Sequence, residues 1–378
     1  MYKQPRIGIL GGGQLGRMLI QAGIDLNIYF KVLDPDPSAP CKNIADEFVC
    51  GSLLDENTLF KFAEDIDILT IEIEAVNTDA LQIIADKGTI KVFPQPSIVK
   101  MIQDKRLQKQ FYITHNIPTA SFILTETIAD VWENKHYLPA VHKCGKGGYD
   151  GKGVQVIKNT DDIAKGFDVP SVLEKLVEIE KEISVIVVKS ANGQIQTFPV
   201  VECVYHPEHN LVDYLLSPAD ITTAHEEKAK QIAIDLVKKL DYIGILAVEM
   251  FIDKQGTILV NEIAPRPHNS GHQTIEGNFS SQYQEMLRAI IGLPLGNTET
   301  RTYSAMINLL GEAGYEGEAH YQGIEKVLAL PNVYIHLYGK TITKPFRKMG
   351  HITLLGNDKR EILQKMDIIK KNLKIISQ

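Results

Sequence analysis

The first third of the chain alternates strand-like and helix-like runs, and this alternation limits the fold more than any other feature. Arg6–Leu10 reads as a short buried strand, and the stretch from Gln14 to about Asp25 carries Leu15, Met18, Leu19 and Ala22 at helical spacing. Tyr29–Leu33 predicts a second strand, closed by Asp34-Pro35-Asp36-Pro37. Ile66–Ile73 predicts a third, ending in Glu72 and Glu74. Strands separated by helices imply a parallel sheet covered on both faces, and ligands meet such sheets at the carboxyl ends of the strands. The glycine loop 11–16, Asp34 and Glu72 all fall at those ends.

Beyond this region the pattern changes. A polar segment from Gln95 to about Gln110 reads as a connection plus a helix. From Leu138 onward, strand-like runs at Ala140–Lys143, Val154–Ile157, Val172–Leu176, Ile183–Val188 and Thr197–Val204 are separated by turn residues. A helix from about Ala224 to Leu240 places Ala229, Ile232, Ala233, Leu236, Val237 and Leu240 on one face. Ile245–Ile252 and Thr257–Ile263 predict a hairpin turned at 253–256. A closing amphipathic helix carries Ile362, Leu363, Met366, Ile369 and Leu373. With 378 residues the chain is too long for one ordinary core. We expect three domains: 1–100, 101–299 with a lid subdomain at about 115–175, and 300–378.

Charge and cysteine usage narrow the function. A net charge of −7 argues against an electrostatic nucleic-acid binder. No apolar run approaches the roughly 20 residues that span a bilayer, and the early apolar run Ile7–Leu10 is too short for a signal peptide. Cys41, Cys50, Cys144 and Cys203 lack metal-type spacing and read as reduced thiols of a cytoplasmic protein.

Three segments carry chemistry. Gly11, Gly13 and Gly16 fit G-x-G-x-x-G between a strand and a helix, with Asp34 where a dinucleotide fold puts its ribose acid. Alone, this reads as an NAD site, a tightly packed turn, or a cradle for another phosphorylated ligand. Lys143-Cys144-Gly145-Lys146-Gly147-Gly148-Tyr149-Asp150-Gly151-Lys152-Gly153 can fold over phosphates, offering amides and lysine charge; the plainer reading is a mobile hairpin turn. Downstream, the backbone of Glu174-Lys175-Leu176-Val177 suits an adenine edge and Glu182 suits two ribose hydroxyls, although a solvated charge run has the same appearance. In the hairpin, a four-residue turn puts Glu249 opposite Val260 and diagonal to Glu262, on one face. Two carboxylates among apolar neighbours are costly to bury unpaired. Mg²⁺, which takes a few carboxylates plus phosphate oxygens, accounts for them; a pair of solvated edge glutamates is the alternative. The second strand runs directly into Arg266, His268 and Asn269.

With these motifs in this order, the chain resembles the ATP-grasp superfamily over nearly its whole length, and within it the N5-carboxyaminoimidazole ribonucleotide synthetase family. The resemblance rests on Gly11-Gly12-Gly13-Gln14-Leu15-Gly16-Arg17-Met18, Gly147–Gly153, Asn261–His272 and Arg347-Lys348-Met349-Gly350-His351. It displaces the NAD reading. It implies a Rossmann-like first domain, a two-lobed ATP-grasp domain and a small β-rich C-terminal domain. It also implies a homodimer, and a reaction in which ATP phosphorylates bicarbonate and the amine of 5-aminoimidazole ribonucleotide takes up the carboxyl group.

Carried over by position, Lys105 and Lys143 contact ATP phosphates, and Gly148, Tyr149, Asp150, Gly151, Lys152, Gly153 and Val154 form the lid. Glu174, Lys175, Leu176 and Val177 flank adenine, and Glu182 holds the ribose. Glu249 and Glu262 ligate Mg²⁺ (or Mn²⁺), with Asn261 beside them. Gln14, Leu15, Glu72, Asn269, Lys340, Arg347 and Lys348 meet the ribonucleotide, its phosphate held at the glycine loop. Arg266, His268, Lys152 and Tyr149 are the expected catalytic residues, with His268 either a donor or a base. The chain departs from the family at Lys152, where Arg is usual, and at Tyr205, where a histidine is common. A formate-using glycinamide ribonucleotide transformylase is the nearest alternative, but Gln14 and Asn269 stand where that family favours Glu and Asp. A non-catalytic nucleotide-binding protein on the same fold is the other.

Overall fold

The computed structural model describes residues 4–148, 153–205 and 212–377. The amino-terminal region is a five-stranded parallel sheet, ordered Glu47–Cys50, Tyr29–Asp34, Arg6–Leu10, Ile68–Ile71, Lys91–Val92. The chain moves outward in one direction from the Arg6–Leu10 strand, then crosses to its other side. That reversal leaves a crevice at the carboxyl ends of Arg6–Leu10 and Ile68–Ile71. The glycine loop and Glu72 sit there. The strand Glu47–Cys50 has no strong sequence signal, because its side chains are only half-buried at the sheet edge.

The polar segment after residue 95 forms two helices, Pro96–Ile102 and Lys105–Thr114. Asp104 separates them and caps the second, its side chain accepting from the Arg106 amide. A four-stranded antiparallel sheet follows, ordered Phe122–Thr125, Ser171–Lys175, Ala140–Cys144, Val154–Ile157. It has its own small core of Val131, Ala140, Ile157, Ile163 and Leu173.

The largest element is a nine-stranded sheet whose path begins with the hairpin Ile258–Ala264 and Gly244–Asp253 and continues through Ile179–Lys189 and Val201–Tyr205. It then crosses Val212–Ser217, Tyr303–Leu310, Lys348–Gly356 and Val333–Leu337. Val212–Ser217 pairs directly with Tyr303–Leu310, so the division expected near residue 300 is not marked by a break in the sheet. The helix Thr223–Lys239 buries Ala229, Ile232, Ala233, Leu236 and Val237 on one face of the sheet, as its periodicity predicts. Truncating a fully buried leucine such as Leu236 to alanine costs about 2–5 kcal/mol.

Two further helices pack on the nine-stranded sheet, and the first braces the crevice. The helix Gln282–Ile291 opens with a capping box, Ser281 and Gln284 bonding each other's backbone amides. Its Tyr283, Met286, Leu287 and Ile290 share a core with Ile7, Ile9, Met18 and Leu19 of the first region. The closing helix Lys359–Asn372 buries Ile362, Met366 and Ile369 against the carboxy-terminal strands, while Leu363 is only half-buried. No helix among the described residues is long and apolar enough to cross a membrane.

Candidate active site

The hairpin at the edge of the large sheet supplies two carboxylates, and its register differs from the sequence expectation. Asp253 Oδ1 accepts from the Gln255 and Thr257 amides, which lengthens the loop by one residue and pairs Ile252 with Ile258. An irregularity next to Glu249 then inserts Asn261 as an extra residue, so Met250 faces Val260 but Glu249 faces Glu262 directly. The expected Glu249–Val260 pairing is therefore wrong. Each shift alone would turn Glu262 to the other face; the two together keep it beside Glu249.

Directly opposed like charges repel. Burial and then Glu262 push the Glu249 carboxyl well above the usual carboxylate range. Lys105 does most to hold Glu262 far below it, and the Lys105 ammonium bonds the Glu262 carboxylate. His268 Nε2 lies 3.3 Å from Glu249 Oε1. Among the described residues no group of three or more His, Cys, Asp or Glu side chains is placed to hold a metal ion. Two adjacent carboxylates of opposite pKa tendency, beside Asn261, fit a hard cation that completes its shell with non-protein oxygens.

Lys143 reaches the same place from the small sheet. Its ammonium is 2.8 Å from Asn261 Oδ1 and 3.1 Å from Glu174 Oε2. The other Glu174 oxygen is 3.1 Å from Lys109, which also donates to Thr119 Oγ1 at 2.6 Å. Glu174 is thus turned inward, between two lysines that hold its carboxyl below the usual range against the opposing effect of burial. Along the backbone of this segment, the amides of Lys175 and Leu176 bond the carbonyls of Ser121 and Pro139. The Lys175 ammonium is also turned away, donating to the Tyr137 carbonyl at 3.0 Å. Val154 opens its strand opposite Lys143, and Gly153, at φ +73°, accepts from the Cys144 amide. Gly148 ends the described part of the loop; Tyr149, Asp150, Gly151 and Lys152 lie outside the described residues.

Glu182 lies on the adjoining strand, opposite Cys203 and Phe251. Burial pushes its carboxyl up to about 7, against a hydrogen bond from Tyr205. The sequence reading left Tyr205 out of the site; its hydroxyl is in fact one of the groups touching Glu182.

The glycine loop is filled from within. Glu72 accepts from the Gly13 amide through Oε1 and from the Gly16 amide through Oε2, each at 2.6 Å. Asp34 takes the Gly12 amide at 2.6 Å and the Asp36 amide at 2.7 Å. A Cβ on Gly13 would come within 2.4 Å of Glu72 Oε1, so this close approach needs glycine. The amides of Gly12, Gly13 and Gly16 are therefore committed to the protein's own carboxylates. This argues against the dinucleotide reading; Glu72 braces the loop, and each of its half-buried oxygens keeps a lone pair beyond the amide it accepts.

Gln14, next to Leu15 at the start of the first helix, does face outward. Its Oε1 accepts from Lys340 at 3.0 Å, and Lys340 also donates to the Lys348 carbonyl at 2.8 Å. Arg347 donates to the Ile342 carbonyl at 2.6 Å. His351 of the same motif is fully buried, stacked on His336 at 4.4 Å and bonded to the Tyr338 hydroxyl. It packs the junction behind the site.

Arg266 and His268 are held by groups the sequence reading did not single out. Arg266 Nε is 2.9 Å from Glu74 Oε1, two residues beyond Glu72 on the same strand end. Gln282 clamps the His268 backbone at both ends, accepting from its amide at 3.0 Å and donating to its carbonyl at 2.9 Å. His268 Nδ1 meets Ser270 Oγ at 3.0 Å, and Asn269 opens the short turn Asn269–Gly271. The period-two spacing of Glu72 and Glu74, and the i, i+4 spacing of Lys105 and Lys109, were the available signals for Glu74 and Lys109.

An ATP-grasp domain model matches residues 110–283, a ribonucleotide synthetase preATP-grasp domain model residues 4–103, and a phosphoribosylaminoimidazole carboxylase C-terminal domain model residues 304–365. The N5-carboxyaminoimidazole ribonucleotide synthase of Bacillus subtilis is 36% identical over 373 residues, covering 97% of this chain and 95% of that protein. The chain belongs to the N5-carboxyaminoimidazole ribonucleotide synthetase family of ATP-grasp proteins.

The crystal structure of the synthetase from Thermotoga maritima matches 99% of this chain and 100% of that one, with a TM-score of 0.92 and 40% identity. The Aspergillus clavatus enzyme, solved with ADP and 5-aminoimidazole ribonucleotide, matches 98% of this chain and 99% of that one, with a TM-score of 0.89 and 33% identity. Family members named phosphoribosylaminoimidazole carboxylase are longer: the chain spans 69% of the one from Ogataea methanolica, at 37% identity, and 66% of two other yeast proteins.

Proposed function

We propose that the chain is an ATP-dependent carbon–nitrogen ligase that carboxylates 5-aminoimidazole ribonucleotide with bicarbonate, giving the N5-carboxy derivative in purine biosynthesis. The observation that carries this reading is the convergence of Glu249, Glu262, Lys105 and Lys143 with Arg266 and His268 at the crevice of the first domain. A bicarbonate oxygen attacks the γ-phosphorus of ATP, releasing ADP and forming carboxyphosphate. The amine nitrogen then attacks the carbonyl carbon, phosphate leaves and the nitrogen loses a proton. Phosphoryl transfer of this kind needs positioning and charge neutralisation more than covalent help from the protein.

Glu249 and Glu262, with Asn261 beside them, would hold Mg²⁺ or Mn²⁺, which when bound neutralises phosphate charge. Lys105 and Lys143 meet the nucleotide phosphates. The backbone of 174–177 reads adenine, and Glu182 with Tyr205 takes the ribose. The loop 148–154, with Tyr149 and Lys152, closes over the reacting centre and keeps water from an intermediate that hydrolyses readily. Arg266, fixed by Glu74, holds bicarbonate and its phosphorylated form, and His268 donates to it or takes the amine proton. Gln14, Leu15, Glu72, Asn269, Lys340, Arg347 and Lys348 receive the ribonucleotide, with the cationic cluster of Lys340 and its neighbours on the phosphate. The division into 1–100, 101–299 and 300–378, with a lobe at 115–175 that moves with the lid, a homodimer and a cytoplasmic location complete the reading.

The test is ADP release on one preparation in buffers stripped of carbon dioxide. Bicarbonate with aminoimidazole ribonucleotide is expected to stimulate turnover, and formate with glycinamide ribonucleotide is not. Equal or faster turnover with the formate pair would refute the substrate assignment. No stimulation by either pair would favour a non-catalytic nucleotide-binding protein.

A further inference from the structure

Lys109 is 2% exposed, on the helix Lys105–Thr114 one turn beyond Lys105. Its ammonium has two anchors: Glu174 Oε1 at 3.1 Å and Thr119 Oγ1 at 2.6 Å. Thr119 in turn donates to the Val260 carbonyl at 2.7 Å, immediately before the Asn261 irregularity. Burying a lysine is expensive, and an apolar side chain of similar length would fill the same space without that cost. The charge is therefore the feature that needs an explanation.

Charge counting around Glu174 supplies one. Glu174 is 4% exposed and also contacts Lys143, which reaches the hairpin directly through Asn261 Oδ1 at 2.8 Å. A buried carboxylate paired with Lys143 alone would cancel its positive charge. With Lys109 on the other oxygen, two ammoniums share one carboxylate and the cluster keeps a surplus of one positive charge. Burial, with Lys143 and Lys105 adding to it against Glu174, lowers Lys109 to about 8, which leaves it largely protonated at neutral pH.

We propose that Lys109 is a positioning residue: by occupying half of the Glu174 carboxylate, it leaves Lys143 a net positive charge directed at the nucleotide phosphates. This inference rests on the reading of Lys143 as a phosphate contact.

The experiment is equilibrium binding of ADP and of adenosine, which has no phosphate, to the full chain and two variants. Lys109→Met removes the surplus charge; Lys109→Met combined with Glu174→Gln restores it. Losing a charge-assisted contact corresponds to about tenfold or more in affinity. Lys109→Met is expected to weaken ADP by at least that factor while adenosine changes by less than about threefold, and the double variant is expected to bind ADP within about threefold of the parent. A merely structural role for Lys109 would weaken adenosine and ADP alike and would not be rescued by Glu174→Gln; either result overturns the proposal. So does unchanged ADP binding in Lys109→Met. If Lys109→Met does not fold, the double variant decides alone: parent-like ADP binding supports the proposal and a loss overturns it. A parent protein that fails to bind ADP would overturn the nucleotide reading itself, which separates that failure from the failure of Lys109.

Discussion

Glu182 offers a quantitative test of the nucleotide site, because burial has placed its carboxyl at about 7 instead of 4.5. A carboxylate that accepts from two ribose hydroxyls must be ionised to accept both fully. At pH 6 roughly a tenth of the unliganded protein is in that form, and at pH 8 roughly nine tenths. The affinity for adenosine is therefore expected to rise close to tenfold between pH 6 and pH 8, with about one proton released on binding at the acid end. Adenosine is the right probe because it has no phosphate to titrate in this range.

The same shift has a signed effect on stability. The folded carboxyl is raised above its unfolded value, so the folded state binds more protons and stability falls as pH rises from 4.5 to about 7. The cost is fully present above that window, at about 3 kcal/mol. Glu182→Gln should remove it, raising stability at pH 8 by up to about 3 kcal/mol and changing little at pH 4, while flattening the pH dependence of adenosine binding. Calorimetric titration in buffers of different ionisation heat measures both affinity and proton release. A flat adenosine profile in the parent, or an unchanged slope in Glu182→Gln, would refute the reasoning.

Three further outcomes follow from the site. Glu262→Gln is expected to cost at least ~10²-fold in ADP formation at saturating Mg²⁺ with the fold intact by circular dichroism; activity within about threefold of the parent would remove Glu262 from the metal site. Glu74→Ala frees the Arg266 guanidinium from its 2.9 Å ion pair and is expected to lower kcat about tenfold or more, with the KM for ATP nearly unchanged, as steady-state kinetics will show. Lys340→Ala is expected to raise the KM for the aminoimidazole ribonucleotide about 10- to 100-fold and leave that for ATP alone; a loss of ATP affinity instead would place Lys340 at the other substrate.

How the glycine loop is used illustrates the limit of a local signal. Spacing alone shows that Gly11, Gly13 and Gly16 permit a tight turn, but the same spacing serves an NAD pyrophosphate or an internal carboxylate equally well. Which anion fills the loop depends on Glu72, 59 residues from Gly13 in sequence and 2.6 Å away in space. The partners of Glu74 and Lys109 could not be read for a related reason. Each looks like an ordinary surface charge until the fold sets Arg266 or Glu174 against it.

The hairpin divides the two kinds of information most clearly. Alternation of side chains along a strand is local, so the sequence by itself determined which residues of each hairpin strand share a face, and periodicity likewise determined the parallel sheet and the buried stripe of the helix Thr223–Lys239. Strand register is not local. It depends on how Asp253 folds the turn and on whether Asn261 is squeezed out of the ladder, and only the tertiary structure decided both. Pairwise distances between distant side chains are set by the packing of whole elements, so they too became visible only in the fold. That packing brings Lys105 onto Glu262, Lys109 onto Glu174 and Glu74 onto Arg266, and it is what turns a set of motifs into a site with a defined charge.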